Sequence, residues 1–173
     1  LIRFPISTYK ITPTVRQQIG GPDGFYFGEA RLQLASQIIL RNDININTNM
    51  SIGLIDNFDE LNLESDSILP HVRTDIVGYL KESQKFGISK MNLNWFGNIG
   101  TDIYTKMSFG LVETMFGGYG AEILYRPFES SWAIGAEIWD VKQRAYDMRF
   151  DFREYETVTG HINLFYKEPV SQI

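Results

Sequence analysis

The chain has 173 residues, enough for one domain with its own core, and a net charge of −5. It contains no cysteine, which excludes disulfides, thiolate metal sites and cysteine nucleophiles, and its charge and lack of a basic run argue against a nucleic-acid partner. No stretch approaches the roughly 18 apolar residues of a transmembrane helix, but strands that cross a membrane escape that criterion. The sequence opens on Leu1 without an initiator methionine or signal-peptide pattern, the start expected of a processed chain or an excised piece.

In chain order, Leu1 to Ile11 predicts a first strand, which Pro5 confines to an edge or bulge. Thr12 to Gly24, with its prolines, glycines and Gln17-Gln18, reads as a loop. From Phe25 the alternation is clean. Gly28, Ala30, Leu32, Leu34, Ser36, Ile38 and Leu40 oppose Glu29, Arg31, Gln33 and Gln37. After the Asn42-Asp43 turn signal, Ile44, Ile46, Thr48, Met50, Ile52 and Leu54 oppose Asn45, Asn47, Asn49 and Ser51. Asp56 to Ser67 is acidic and irregular and is expected in solvent.

The period then changes to four, with Ile68, Val72, Ile76 and Leu80 on one side. Pro70 suits a first helical turn, so one amphipathic helix is expected within 68–83, at about Pro70 to Ser83. Strands resume near Phe86. Met91, Leu93 and Trp95 oppose Lys90, Asn92 and Asn94; then Ile103, Thr105, Met107, Phe109 and Leu111 oppose Tyr104, Lys106 and Ser108. Ala121, Ile123 and Tyr125 oppose Glu122 and Arg126, and Trp132, Ile134, Ala136 and Ile138 oppose Ala133, Gly135 and Glu137. A charged connection, Asp140 to Glu154, leads to a last run in which Val158, Ile162, Leu164 and Tyr166 oppose Thr157, Thr159, His161 and Asn163. About eight strands of roughly 9 to 14 residues result, longer than most strands of soluble sheets.

Register arithmetic sharpens the two central hairpins. Leu111 and Ile123 share a face only across an odd loop, expected at Phe116 to Gly118 with Leu111 facing Ile123 and glycines at positive φ. An even turn, Pro127 to Ser130, then sets Tyr125 opposite Trp132 at the end of the apolar band. Glu113 breaks the pattern and is expected at the rim or turned inward by a bulge.

The polar parity carries Asn, Gln, Ser, Thr, Gly and Tyr with few charges, and the apolar parity is nearly charge-free. Polar-in, apolar-out strands of this length are the outer-membrane pattern, while a soluble β-barrel or sandwich would put the apolar set inside. Catalytic and metal signatures are weak. His71 and His161 make no ligand spacing, and no Gly-x-Ser-x-Gly turn is present. Glu122 and Glu137, on adjacent strands and both of polar parity, can be read as a carboxylate pair for glycoside cleavage. The plainer expectation is that Arg31, Lys106, Arg126 and Arg144 neutralise them inside a lumen.

Six segments carry a resemblance: Leu69-Pro-His-Val-Arg-Thr-Asp-Ile76, Glu113-Thr-Met-Phe-Gly-Gly118, Gly120-Ala-Glu-Ile-Leu-Tyr-Arg-Pro127, Trp132-Ala-Ile-Gly135, Val141-Lys-Gln-Arg144 and Tyr155-Glu-Thr-Val-Thr-Gly-His161. In this order they resemble the YjbH family, outer-membrane proteins of Gram-negative bacteria associated with exopolysaccharide and capsule operons. The resemblance implies an all-β chain, an antiparallel transmembrane-type β-barrel with one short amphipathic helix. Family members are longer, so residues 1–173 would be a single barrel domain or part of a larger barrel. The expected role is a non-enzymatic conduit or scaffold in the cell outer membrane for exopolysaccharide production or secretion. Its expected partners are outer-membrane lipid, polysaccharide and other secretion proteins, with no cofactor and no metal.

Two alternatives stay open: a soluble barrel or sandwich module for an apolar ligand, and an outer-membrane enzyme acting on glycan or lipid. The residues expected to line the lumen and meet polysaccharide are Arg31, Asn47, Lys106, Glu122, Arg126, Glu137 and His161. Those expected to face lipid are Met50, Ile52, Met107, Phe109, Ile123 and Ile134, with Tyr125, Trp132 and Tyr166 as an interface girdle. The helix is expected to plug the lumen or cross its periplasmic mouth.

Overall fold

The computed structural model describes residues 3–19, 24–61, 75–82 and 85–168. Eight strands pair in chain order as one antiparallel sheet. They are β1 (Ile6–Ile19), β2 (Tyr26–Arg41), β3 (Ile44–Asp56), β4 (Gly87–Ile99), β5 (Ile103–Leu111), β6 (Phe116–Tyr125), β7 (Trp132–Arg144) and β8 (Phe152–Tyr166). The antiparallel all-β architecture is as expected. The sheet is not closed into a barrel, because among the described residues no ladder joins β1 to β8.

Period-2 alternation becomes two chemically distinct faces through the ladder register. One face stacks Gln33 opposite Ser51, Asn47 opposite Asn92, Asn94 opposite Ser108, Lys106 opposite Glu122 and Glu137 opposite His161. The other stacks Leu34 opposite Met50, Ile46 opposite Leu93, Trp95 opposite Met107 and Ile134 opposite Leu164. Burial is inverted relative to a soluble sheet. Asn94 is 2% exposed and Ser108 4%, whereas Phe109 is 66% exposed and Ile162 81%.

The polar face is the inner one. Phe27 on β2 packs with Phe58, Leu61 and Leu80 in a small core, and Ile76 and Val77 lean on it. Leu80 belongs to a six-residue helix, α1 (Ile76–Lys81). From the same helix, Tyr79 donates its hydroxyl to the Arg144 carbonyl at the end of β7. Gln143 Nε2, also on β7, donates to Asp75 at 2.8 Å. A helix about 10–12 Å across can touch both β2 and β7 only if the sheet curls around it, polar face inward.

Several sequence expectations change. The loop expected from Thr12 is the second half of β1, with Pro13 opposite Leu32. Proline is tolerated there because an edge strand can leave an N–H position unpaired. The stretch expected in solvent contains a 3-10 turn (Phe58–Glu60) in which Phe58 is fully buried. Of the expected helix, Ile76 to Lys81 is helical, while Ile68, Pro70, His71 and Val72 lie outside the described residues.

The hairpin registers also shift. Leu111 pairs with Gly117 and Thr105 with Ile123, so the β5–β6 turn is 112–115 and Phe116 already belongs to β6. The Val112 and Glu113 amides both donate to the Phe116 carbonyl at 3.1 Å. The odd parity holds, but the glycines serve another purpose. Gly118 abuts the Asp140 carbonyl and Gly120 lies under the Trp139 ring, so both admit a close approach. Positive φ falls instead at Gly110 (127°) and Gly100 (68°). Tyr125 is opposite Ile134 rather than Trp132, although the Tyr125 and Trp132 rings still meet edge-on at 5.9 Å.

Candidate functional site

The concave face is built from side chains that sequence parity aims inward, and its most ordered part is amide-rich. Asn94 Nδ2 donates to Asn45 at 2.9 Å, while Asn94 Oδ1 accepts from Ser108 at 2.7 Å and from Asn92 at 3.3 Å. Gln33 donates to Asn49 at 2.7 Å and Asn47 to Asn45 at 3.4 Å. These groups hydrogen-bond to one another across the ladder, and Asn92 Oδ1 is buried without a partner among the described residues.

Beside this ladder, four of the seven residues expected to line a lumen form one row across β5 to β8. Lys106 Nζ lies 2.6 Å from Glu122 Oε1, Glu122 is opposite Glu137, and His161 Nδ1 is 3.4 Å from Glu137 Oε1. Trp139 Nε1 donates to the other Glu137 oxygen at 3.1 Å. Each glutamate is thus turned to its own partner.

The expected set of neutralising cations is corrected in part. Lys106 serves Glu122, but Arg31 lies 3.7 Å from Glu29 and donates to Ser51. Arg144 is fully buried and works on the backbone, donating to the carbonyls of Glu113 (2.8 Å), Thr114 (3.3 Å), Met148 (2.6 Å) and Arg149 (2.9 Å). It therefore ties the β5–β6 turn to the β7–β8 connection, with Glu113 exposed at the rim. Arg126, just past β6, lines the cavity described next.

That cavity, about 510 Å³, opens on the concave side at the end carrying the short turns 42–43, 100–102 and 126–131. Its walls combine Lys106, Glu122, Glu137 and Asn163 with the rings of Phe96, Tyr104 and Phe165. Sequence reading did not single out these rings. The available signal was an aromatic on the polar parity near a strand end, at all three positions. Flat apolar rings beside amides, carboxylates and an ammonium suit a ligand with both C–H faces and hydroxyl edges.

On the convex face lie all six residues expected to meet lipid. Ile52, Met107, Phe109, Ile123 and Ile134 are 42–66% exposed, and Met50 is half-buried. Tyr125, Trp132 and Tyr166 share the short-turn end of this face, Trp132 opposite Tyr166. Trp95 joins them there, its indole donating to Asp43 at 3.3 Å. The Asp43 carboxyl is held below the usual carboxylate range, chiefly by its hydrogen bonds from Arg41.

Fold and site together define an antiparallel β-sheet protein with a polar inner face and an exposed apolar outer face. The chain belongs to the YjbH family: residues 3–172 match the family model described as exopolysaccharide biosynthesis protein YbjH. It is similar to the uncharacterized lipoprotein YjbH of Escherichia coli (strain K12), at 32% identity over 170 residues. That match covers 95% of this chain and 24% of the relative, so the chain spans about a quarter of the relative's length. No solved structure matches it.

Proposed function

We propose that this chain is a membrane-spanning section of an outer-membrane β-barrel that serves exopolysaccharide production, with the concave face as a non-catalytic surface along which glycan passes. The observation that carries the reading is the inverted burial on long strands: hydrogen-bonded amides inside, and a continuous apolar band outside. The exopolysaccharide description of the family supports the glycan, and the relative's being a lipoprotein supports a place at a membrane. The two edges, β1 and β8, would find partners in further strands of a longer polypeptide, since an unpaired edge in lipid leaves a row of backbone groups without water. Many weak hydrogen bonds let a polymer bind and leave again, as conduction requires.

Turn lengths orient the section. Short turns of outer-membrane barrels face the periplasm and long connections face outward. In the proposed orientation 42–43, 100–102 and 126–131 lie on the periplasmic side and the long 57–86 connection with α1 at the outer mouth, together with the four-residue 112–115 turn. This reading differs from the expectation of a helix that plugs the lumen or crosses its periplasmic mouth.

The test is spin-label accessibility on the complete protein in lipid discs, with any cysteine outside this cysteine-free stretch first replaced by serine. Labels replacing Phe109, Ile134 and Ile162 should be relaxed by oxygen and shielded from a water-soluble nickel complex. Labels replacing Ser108, Asn92 and Asn163 should show the reverse. Water contact at the first set and oxygen preference at the second would sink the proposal.

A further inference from the structure

A second cavity of about 510 Å³ lies on the concave side toward the other end of the strands. Three cations reach it from three strands: Arg16 on β1, Arg31 on β2 and Lys90 on β4. The carboxylates near them are Glu113, whose residue is exposed in the β5–β6 turn, and Glu29, which is 2% exposed and 3.7 Å from Arg31. Asp56 stands opposite Glu29 outside the cavity, and among the described residues that line it Arg16, Arg31 and Lys90 face the single carboxylate of Glu113, in a chain whose net charge is −5. The Arg31 guanidinium is directed to Ser51 and Glu29 through its terminal nitrogens, with Nε buried. Gln33, Asn49 and Ser51 line the same space with amides and a hydroxyl.

We infer that this cavity binds the carboxylate of an acidic sugar unit, a uronate, within the polymer that the concave face carries. The inference rests on the glycan reading above and names its substrate class. Guanidinium groups match a planar carboxylate by forked hydrogen bonds, and the flanking amides match ring hydroxyls. A cavity of about 510 Å³ has the capacity of a sugar-sized ligand, far more than one phosphate ion fills. A lipid headgroup would approach from the convex side, where the apolar band is, and these cations face the other way. The surplus is also placed for traffic: it lies just inside the mouth closed over by α1, where an acidic polymer is drawn along by weak, salt-screened attraction.

The experiment uses the complete protein in lipid discs, titrated calorimetrically with a galacturonate hexamer and with a neutral glucan hexamer. The galacturonate should bind more tightly. Arg16→Gln and Lys90→Gln should each weaken it by roughly tenfold, since charge-assisted hydrogen bonds are lost, and Lys90→Arg should preserve it. Neutral hexamer binding should be unchanged in all three variants. If the two hexamers bind equally and the variants alter neither, the acidic ligand is wrong and the conduit reading stands. If inorganic phosphate at matched charge displaces the uronate completely, or anionic lipid in the disc abolishes its binding, the site is for phosphate or headgroups and the inference fails. If neither hexamer binds and the spin labels place lipid on the concave side, the glycan reading falls as well.

Discussion

At the residue scale, the interior is held by polar groups that can be buried only as a set. Asn94, 2% exposed, is the hub, donating to Asn45 and accepting from Ser108 and Asn92. Asn94→Ala would leave those partners with neither amide nor bulk water, so we expect a loss of about 1–3 kcal/mol, read from urea unfolding in detergent. Asn94→Leu should cost more, because it adds apolar volume without satisfying the three neighbours. The Lys106–Glu122–Glu137–His161 row allows a sharper functional statement. Each glutamate already has a partner, so Glu122→Gln and Glu137→Gln should leave exopolysaccharide export near wild type. Complete loss of export in a correctly folded and inserted Glu137→Gln protein would favour an enzyme over a conduit. Gly118 is a residue whose reason lies in its neighbour. Any side chain there would strike the Asp140 carbonyl, so Gly118→Ala should disrupt β6–β7 pairing and lower the melting temperature.

At the element scale, the helix and the 3-10 turn form a separate layer over one end of the sheet. Phe58 and Tyr79 are both 0% exposed and grip opposite sides, Phe58 with Phe27 and Leu80, Tyr79 with the β7 carbonyl of Arg144 and the Tyr146 ring at 5.0 Å. Burial raises the Tyr79 hydroxyl above its usual range, so it remains a donor throughout ordinary working pH. Phe58→Ala should cost about 3–5 kcal/mol of local stability, and Tyr79→Phe about 1–2 kcal/mol for the orphaned carbonyl. The strands are held by their own ladders. Hydrogen exchange should therefore speed up at Val77 to Leu80 in both variants, while the β5–β6 amides stay protected. Exchange rising equally in both regions would mean the helix is integral to the sheet. This layer was half legible in sequence. Ile76 and Leu80 showed the period of four, but Phe58 stands alone among Asp56, Asp59 and Glu60, where no periodicity can flag a core residue.

At the scale of the whole molecule, strand count, strand direction and the two faces were legible because period-2 alternation survives any shift of register by two residues. The shift itself was not legible. Placing Leu111 opposite Ile123 or opposite Gly117 preserves every parity, and only the amides of Val112 and Glu113 converging on the Phe116 carbonyl decide between them. The same blindness hid the two cavities of about 510 Å³, which exist only once curvature brings separate strands onto one concave wall. The orientation proposed across a membrane rests on where the long connections fall, and it can be tested independently of the glycan. A short epitope inserted after Gly100 lies in the 100–102 turn and should be hidden from antibody on intact cells, appearing only after the outer membrane is permeabilised. The same epitope after Glu113, in the 112–115 turn on the side of α1, should be accessible on intact cells. The 112–115 turn is anchored through the Arg144 contacts to its carbonyls, so loss of insertion there would be read from heat-modifiable mobility before any accessibility is compared. With both proteins inserted, the reversed pattern would put α1 at the periplasmic mouth. It would also make the cationic cavity the first part of the concave face that an outgoing polymer meets, rather than the last.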